Sequence, residues 1–418
     1  MLISSMLNLI FPTQKTDPNC LHQAREGLSK LRLRRDLGFL ELPKNLDAIQ
    51  MRALEIKKQF KQIVVLGIGG SALGTKALLE ALSPQSPQLP ITILDNVDEF
   101  SFFQRLEALN LAETHFLIIS KSGQTIETLT QAELVDQVLI QKGLRSLALV
   151  STVISETTSN PLTDWALREN VPSLEVPKNV GGRFSVLTPV GLLPAALAGF
   201  NLQEISVGAH WAKDQDTLIS ELAAQAMTSF SRKEWITLFW CYCDRLVGFS
   251  YWLQQLWAES LAKAKDRSGA AAPRVSTPIP CRGSTDQHSI LQQVMQGERD
   301  KFIYFFRVQE SANSHLVIQN SLFRGQEIMK QKSMGNLFSA QADAIRQSLF
   351  AEQVQSVSLN LQKLDESSIG ALFMLFQMVI GTLGEVMNID AFDQPGVESG
   401  KLATRRLLSG LKASSKAY

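Results

Sequence analysis

A short segment rich in hydroxyl groups contains the residue types of this chain that most clearly suggest chemistry. The apolar run FLII at residues 116–119 leads directly into it, and a polar segment that favours a helix follows. The side chains in it that can bind an anion are Ser120, Lys121, Ser122, Thr125 and Thr128. The start of a helix carries free N–H groups and a partial positive charge, so the segment predicts a site for a phosphate monoester. A serine-rich turn with an ordinary helix cap would use the same residue types.

A carboxylate and an amide share one face of an apolar helical stretch. Gln255 and Glu259 are separated by one helical turn, and Trp252, Leu256 and Trp257 are their neighbours in sequence. Apolar surroundings disfavour a charged carboxylate and make it a stronger proton acceptor, which a base for carbon-bound protons requires. The alternative is a glutamate that faces solvent on an amphipathic helix.

Four further polar residues could act on a bound substrate. His288 precedes a helix, and imidazole can pass protons to and from oxygen near neutral pH. Arg183 follows two glycines, where a fixed cation could hold a developing enediolate charge. Gln394 and Lys401 lie on a turn and at the start of the last helix. A surface histidine, a structural salt bridge and a solvated lysine are the competing interpretations.

A glycine-rich loop admits a different function. Residues Gly67 to Ala72 satisfy G-x-G-x-x-A after an apolar run, and Asp95 ends another run further on, as a dinucleotide-binding fingerprint requires. However, the doubled glycine that ends at Gly70, together with Ser71, suits a small hydroxylated ligand close to the backbone. This weakens the dinucleotide interpretation, but a nicotinamide-dependent enzyme stays an alternative.

The composition excludes several classes of protein. The chain has 418 residues, 45% of them hydrophobic, and a net charge of +1, which does not favour nucleic acid or an acidic membrane as a partner. Its few cysteines form neither a disulfide framework nor a zinc motif: Cys20, Cys241, Cys243 and Cys281. No basic residue precedes Lys15, so we expect no signal peptide and a cytoplasmic location. We also expect no metal and no cofactor, and a core helix rather than a membrane span at residues 367–384.

Short apolar runs alternate with amphipathic stretches along the first half of the chain. The runs lie at residues 63–66, 91–94, 116–119 and 147–150. This alternation predicts βαβ units, hence an α/β fold with a mainly parallel sheet between helices, and ligands at the carboxyl ends of its strands. We expect a long helix over residues 234–265, a loop over 267–285 and a strand over 302–308, in a second α/β unit.

Taken together, these segments resemble the phosphoglucose isomerase family, whose members are built from sugar isomerase domains. Two long segments are similar to that family's signatures, NVGGRFSVLTPVG at residues 179–191 and FDQPGVESGK at 392–401. Four shorter ones occur in the family's order: GIGGSALG, SKSGQTIET, QLWAES and GSTDQHS. The resemblance spans residues 63–401. SKSG-x-T alone would mark the wider class of sugar isomerase domains, which includes binding regulators.

The resemblance implies an organisation of the whole chain. Two sugar isomerase domains are expected at residues 46–187 and 216–390, each a mainly parallel sheet between helix layers. An N-terminal helical extension would cover 1–45, a connecting helical segment 188–215, and a catalytic turn and helix 391–418. The family is typically a homodimer with shared active sites, in which the partner subunit supplies the histidine.

The resemblance also implies an activity and a role for each candidate residue. The activity is reversible isomerisation of glucose 6-phosphate and fructose 6-phosphate through a cis-enediol, in glycolysis and gluconeogenesis. Glu259 would move the proton, Arg183 would stabilise the intermediate, and His288, oriented by Glu127, would assist ring opening. The residues that would contact the substrate are Gly70, Ser71, Ser120, Lys121, Ser122, Thr125, Thr128, Gln255, Gln394 and Lys401.

Three features depart from the family's pattern. The chain is shorter than the longer members, its phosphate loop has the general SKSG form, and Pro395 stands where an aromatic residue is common. They bear on kinetics and selectivity rather than on the reaction. A sugar-phosphate-binding regulator without catalysis and a dual glucose/mannose phosphate isomerase remain the alternatives.

Overall fold

The computed structural model describes residues 7–10, 16–82, 89–309, 316–325 and 327–410. Within them the chain forms two five-stranded sheets with helices packed against both. The prediction of an α/β fold with two mainly parallel sheets is confirmed. Residues 1–6 and 11–15 of the predicted N-terminal extension and 411–418 of the C-terminal segment lie outside the described residues.

The N-terminal segment contributes a strand and a helix. Strand β1 (Leu7–Ile10) pairs antiparallel with the last strand of the second sheet, so the structure differs from the helical extension predicted for residues 1–45. Its sequence, LNLI, suits an edge strand. Helix α1 (Pro18–Leu33) begins at a proline, and the Asp17 side chain caps it by accepting a hydrogen bond from the backbone N–H of Asn19 at 2.8 Å.

The first sheet is entirely parallel, and its strand order is β3-β2-β4-β5-β6. Its strands are β2 (Gln62–Leu66), β3 (Ile91–Leu94), β4 (Thr114–Ile119), β5 (Ser151–Ser155) and β6 (Ser173–Glu175). Its helices are α2 (Leu46–Gln59), α3 (Leu73–Ala81), α4 (Glu99–Glu107), α5 (Ile126–Gln141) and α6 (Pro161–Arg168). Central strand β4 is buried along its whole length, as a strand covered by helices on both faces should be.

Two helices connect the sheets, α7 (Pro189–Ala198) and α8 (Leu202–Lys213). Helix α8 lies against α13 (Glu366–Val386) at a very short distance, because each carries a glycine at the crossing. A Cβ at Gly208 would lie 1.7 Å from the Ser367 carbonyl oxygen, and one at Gly370 would lie 2.2 Å from that of Ile205. These two glycines therefore fix how the second sheet's longest helix meets the connecting segment.

The second sheet has the order β1-β10-β9-β7-β8, and all pairs except β1–β10 are parallel. Its other strands are β7 (Ile236–Tyr242), β8 (Thr277–Arg282), β9 (Lys301–Val308) and β10 (Gln355–Leu361). The remaining helices are α9 (Asp216–Ser231), α10 (Val247–Leu261), α11 (Leu291–Gln296), α12 (Met334–Ala351) and α14 (Glu398–Leu408). Helix α13 is the one described helix long and apolar enough to cross a membrane, but 89% of its apolar window is buried inside the fold, as in the core of a soluble protein.

Three local predictions are wrong. The expected helix over residues 234–265 contains strand β7 before α10, because an apolar run such as ITLFWCY has no periodicity that separates a buried strand from a buried helix. The expected loop over 267–285 contains β8, where Pro278 and Pro280 are tolerated because β8 is an edge strand. Residues 147–150 form a 3-10 turn, and the strand begins at Ser151.

Candidate active site

Two glycine-containing loops meet at the carboxyl end of the first sheet. One follows β2 and continues as a 3-10 turn at Gly69–Ser71, and the other precedes the 3-10 segment Gly182–Leu187. A Cβ at Gly70 would lie 2.5 Å from the carbonyl carbon and oxygen of Gly182. Gly70 is therefore required for contact between the two loops. The dinucleotide fingerprint uses Gly67, Gly69 and Ala72 and leaves this position open.

The hydroxyl-rich loop follows β4, as expected. Ser120 Oγ donates a hydrogen bond to Thr125 Oγ1 at 2.9 Å, and Gly123 adopts a positive φ of 60° between them. Thr125 stands at the N-cap of α5, yet within the described residues no side chain caps this helix. The first N–H groups of a 16-residue helix thus stay available for an anion.

Two further side chains of this loop fit an anion site. Lys121 Nζ donates to the Lys178 carbonyl oxygen at 2.9 Å, which ties the loop to the segment that leads to Arg183. Burial lowers the pKa of Lys121, and the positive charge of Lys178 lowers it further, while the negative charge of Glu156 raises it in part. The carboxylate of Glu156 therefore does not fully offset the cost of burying the ammonium. Thr128 is fully buried, and its hydroxyl has no hydrogen-bond partner among the described residues. Ser122 is exposed beside them.

Gln255 and Glu259 lie on one face of α10 and contact each other, as their spacing predicts. Gln255 Nε2 donates to Glu259 Oε1 at 3.0 Å, and Gly69, with a φ of 58°, places its backbone against the same amide. The expected apolar surroundings of the carboxylate are wrong. Trp252 and Trp257 point into the core, where they pack edge-on against Phe373 and Phe239, while the Glu259 side chain is 26% exposed and faces polar groups.

Arg183 is the buried cation at the centre of these groups. Its side chain is 1% exposed, and Nη1 lies 3.5 Å from Glu259 Oε2 and 3.4 Å from Gln394 Oε1. Nε donates to Ser260 Oγ at 2.6 Å, and Nη2 donates to the carbonyl oxygens of Ala391 and Asp393 at 2.6 and 2.9 Å. Burial lowers the pKa of Arg183, an effect that Glu259 and nearby aspartates oppose. The guanidinium is thus fixed by four acceptors in addition to the Glu259 carboxylate.

Two arginines bind the segment that precedes the turn carrying Gln394. Arg34 and Arg267 both bind the Glu385 carboxylate, at 2.7 Å each. Burial raises the pKa of Glu385, but the hydrogen bond from Arg267 and the two positive charges lower it more, so its pKa lies below the usual value. Arg267 N–H also donates to the Asn388 carbonyl at 2.7 Å. This ion-pair network ties the N-terminal segment and Arg267 to the end of α13, just before the turn.

Sequence reasoning missed Lys263, which contacts both α10, the helix that carries Glu259, and the turn at residues 391–394. Its ammonium donates to the Glu259 carbonyl oxygen at 3.0 Å and to the Asp393 carbonyl and carboxylate at 2.6 and 2.7 Å. The signal that could have revealed it is its position one helical turn after Glu259. Its partner Asp393 is 130 residues away, which no local pattern indicates.

His288 and Glu127 are not brought to this cluster within one chain. His288 ends the 3-10 turn Thr285–His288 and is exposed, whereas Glu127 lies half-buried in the first turn of α5. Among the described residues, no hydrogen bond or ion pair joins either side chain to the other or to Glu259. Their predicted roles stay predictions.

Lys401 also lies apart from the cluster. It is on α14, a helix with no buried residue, and its ammonium is 2.8 Å from Glu398, with both side chains more than half exposed. In the part of the chain that the structure describes, no hydrogen bond or ion pair joins Lys401 to Arg183 or Glu259. Its predicted contact with the sugar stays a prediction.

Other candidate chemistries find less support in the described residues. Asp95, the acidic residue of the dinucleotide fingerprint, forms an ion pair with Lys76. No described group of three or more histidine, cysteine, aspartate or glutamate side chains could hold a metal ion. The four cysteines are free thiols, and burial raises the pKa of Cys281 to about 12.

Known proteins resemble this chain in sequence over most of its length. Residues 51–418 match the family model described as phosphoglucose isomerase. A glucose-6-phosphate isomerase of Campylobacter jejuni is 32% identical over 383 residues, which cover 90% of this chain and 92% of that protein. A probable glucose-6-phosphate isomerase of Haloquadratum walsbyi is 32% identical over 394 residues, with 92% of this chain and 89% of that protein covered.

Solved structures agree with this fold. A hypothetical protein from Thermus thermophilus superposes with a TM-score of 0.83 at 30% identity, covering 94% of this chain and 95% of the other. A glucose-6-phosphate isomerase from Chlamydia trachomatis gives a TM-score of 0.81 at 22% identity over 98% of this chain and 89% of the other, which supports the fold. From the matched family model and these relatives, the chain belongs to the phosphoglucose isomerase family.

Proposed function

We propose that Glu259 is the base with which this family member interconverts glucose 6-phosphate and fructose 6-phosphate. The chain is an aldose–ketose isomerase by family membership, and its substrate is a sugar phosphate. The observation that carries the assignment of the base is the contact between Glu259 and the buried Arg183 at 3.5 Å. A carboxylate that accepts a proton from carbon needs a fixed cation nearby for the charge that develops on oxygen.

The reaction follows from these two groups. Glu259 takes the proton from C2 of the open-chain aldose, the C–H electron pair forms the C1=C2 bond, and the C1 carbonyl oxygen becomes negatively charged. Arg183 stabilises this cis-enediol intermediate in its enediolate form, and the proton of the C2 hydroxyl passes to O1, which moves the charge to O2. The carboxylic acid then returns its proton to C1 as the carbonyl forms at C2. Atoms and electrons balance without an oxidant.

The hydroxyl-rich loop would hold the phosphate. The free N-terminus of α5, the half-buried Lys121 and the Thr128 hydroxyl, which has no partner among the described residues, support this role. Ser120, Ser122 and Thr125 would complete the cradle, and Gly70, Ser71, Gln255 and Gln394 would line the sugar. Binding energy from a phosphate remote from the reacting carbons can hold C1 and C2 against the base.

Ring opening would need a second copy of the chain. His288, oriented by Glu127 across the interface, would protonate the ring oxygen, and Lys401 would contact the sugar. The exposure of His288 and of three leucines on α14 supports a homodimer with shared active sites: Leu402, Leu407 and Leu408 are 53%, 74% and 71% exposed. Exposed apolar side chains on a helix that has no buried residue favour a partner surface.

The proposed domains follow the two sheets. Residues 46–187 and 216–390 would be the two sugar isomerase domains, joined by 188–215, with 391–418 as the catalytic turn and helix. All strands of the first sheet lie in the first range, and four of the five strands of the second sheet lie in the second. Free thiols support a reducing compartment, and we place the protein in the cytoplasm, in glycolysis and gluconeogenesis.

The activity is tested by conversion of fructose 6-phosphate to glucose 6-phosphate, followed with an NADP-linked dehydrogenase in excess chelator. Fast turnover is expected without added metal. A folded protein with no turnover, or turnover that requires metal, would contradict the proposal. The same assay with mannose 6-phosphate as substrate measures the selectivity.

The shared site is tested by mixing two inactive variants, Glu259→Gln and His288→Asn, under conditions that exchange subunits. Half of randomly formed dimers would be mixed, and each would hold one intact site of two, so about a quarter of wild-type activity should return. Activity that stays at the level of the separate variants, in a mixture shown to exchange, would contradict a histidine supplied by the partner.

A further inference from the structure

We propose that Lys263 is a positioning residue, which locks the turn at residues 391–394 to the end of α10 and thereby holds Arg183 against Glu259. The inference rests on the proposed roles of Glu259 and Arg183 and adds a residue that the sequence motifs did not single out. It begins from the Lys263 side chain, which is 6% exposed although the residue follows the last turn of a helix.

The Lys263 ammonium has three donors, and all of them are used. They reach the Glu259 carbonyl oxygen at 3.0 Å and the Asp393 carbonyl and carboxylate oxygens at 2.6 and 2.7 Å. A lysine ammonium has no further proton to donate, so Lys263 cannot also bind the sugar as it stands. Its position near the C-terminal end of α10 favours a cation, since the last carbonyls of the helix carry partial negative charge.

The Asp393 carbonyl oxygen links Lys263 to the active site. It accepts from Lys263 at 2.6 Å and from Arg183 Nη2 at 2.9 Å, so two cations share one acceptor. Arg183 depends on the same turn for its bond to the Ala391 carbonyl. When Lys263 fixes the turn, it also fixes the direction of the guanidinium towards Glu259.

The start of the turn and the segment before it have separate anchors, so the effect of Lys263 should be local. Asn388 is held by the Arg267 N–H, and the Arg34 guanidinium lies 5.9 Å from the Phe392 ring centre. Loss of Lys263 should therefore leave the turn folded but release its end at Asp393. A displacement of about 1 Å at the catalytic cation can lower the rate about 100-fold without loss of the fold.

The variant that tests this is Lys263→Met, which keeps the apolar stem and removes the three donors. Its matched control is Lys265→Met, an exposed lysine two residues further along. Asp393→Asn is the second variant, because it keeps the backbone carbonyl that Arg183 and Lys263 share. We expect kcat to fall about 10- to 100-fold in Lys263→Met, with KM changed less than about threefold because the phosphate loop is untouched. Asp393→Asn should lose less, and Lys265→Met should match the wild type.

Two inhibitors separate positioning from a purely structural role. One is a sugar-acid hydroxamate phosphate, which is planar and anionic at the position of C1 and C2, and the other is a neutral open-chain polyol phosphate. In Lys263→Met the Ki of the planar anion should rise in parallel with the loss of kcat, while the Ki of the polyol stays within about threefold. Equal changes in both Ki values, or a lower Tm with unchanged kcat, would overturn the inference.

The wild type shows whether the proposed function itself has failed. If the wild type does not bind the planar anion more tightly than the polyol, the roles of Glu259 and Arg183 are wrong. If it does, but Lys263→Met keeps the same preference, only the inference about Lys263 is wrong.

Discussion

Replacement of Arg183 by lysine should remove most of the activity while the charge at this position is kept. The guanidinium binds Ser260 Oγ and two backbone carbonyls of the 391–394 turn at 2.6 to 2.9 Å, and it also approaches Glu259 and Gln394. A lysine is shorter, has three donors rather than five, and lacks the planar fork, so at least two of these acceptors lose their partner.

The magnitude follows from those contacts. Each buried acceptor left without a donor costs about 1–3 kcal/mol, so two of them lower the free energy of unfolding by about 2–6 kcal/mol. The loss of one donor to a developing oxyanion costs about 3–4 kcal/mol of transition-state stabilisation, which is about 10²- to 10³-fold in kcat. KM should change little, because the phosphate loop is a separate element.

The assay measures kcat and KM for fructose 6-phosphate together with urea unfolding. Arg168→Lys is the matched control, because Arg168 is 69% exposed and pairs only with the neighbouring Glu169 among the described residues. An Arg183→Lys variant that keeps more than about a tenth of the wild-type kcat would refute the role of the guanidinium fork. A variant with a raised KM and an unchanged kcat would also refute this role.

Three further predictions concern the phosphate loop and the acid stability of the first domain. Gly123→Ala should raise KM at least about 10-fold, because its Cβ would lie 1.7 Å from Asn160 Oδ1, whereas Gly143→Ala, with a similar φ of 67° but open space, should leave KM unchanged. Thr128→Val should raise the Kd for a polyol phosphate about 10-fold without lowering Tm, since the buried hydroxyl it removes has no described partner; an unchanged Kd in calorimetry would count against the phosphate role. Burial, reinforced by two arginines, lowers the pKa of His115 to about 3, so the unfolded state alone gains a proton as pH falls from 6.5 towards 3, and the free energy of unfolding falls with it. His115→Gln should therefore lose about 2 kcal/mol less than the wild type between pH 6.5 and 4.5 in urea titrations, and equal losses would contradict this.

The sequence allowed the sheet edges and the position of the hydroxyl-rich loop to be predicted because their signals are local. Gly67 and Ser120 each end an apolar run, and parallel strands bring both loops to one edge. The pair Gln255 and Glu259 followed from helical spacing. Strand β7 was not separable from a helix, because it is buried along nearly its whole length and has no alternating pattern.

The residues that hold Arg183 in place could not be predicted in the same way. Arg183 contacts Ser260 and Asp393 across 77 and 210 residues, and these contacts exist only after the two sheets and the connecting helices have packed. The expected apolar surroundings of Glu259 were wrong for a different reason: its neighbours in sequence on α10 point to other sides of the helix. His288 and Lys401 lie apart from Glu259 within one chain, and their predicted roles rest on the proposed homodimer.

The role of Glu259 is tested most directly by proton exchange at carbon. Wild-type enzyme in deuterated water should place deuterium at C2 of glucose 6-phosphate during isomerisation, detected by proton NMR. Glu259→Gln should lower this incorporation and kcat together by about 10²- to 10⁴-fold, while the Kd for a polyol phosphate stays near the wild-type value. Incorporation at close to the wild-type rate in a folded Glu259→Gln protein would show that another group moves the proton.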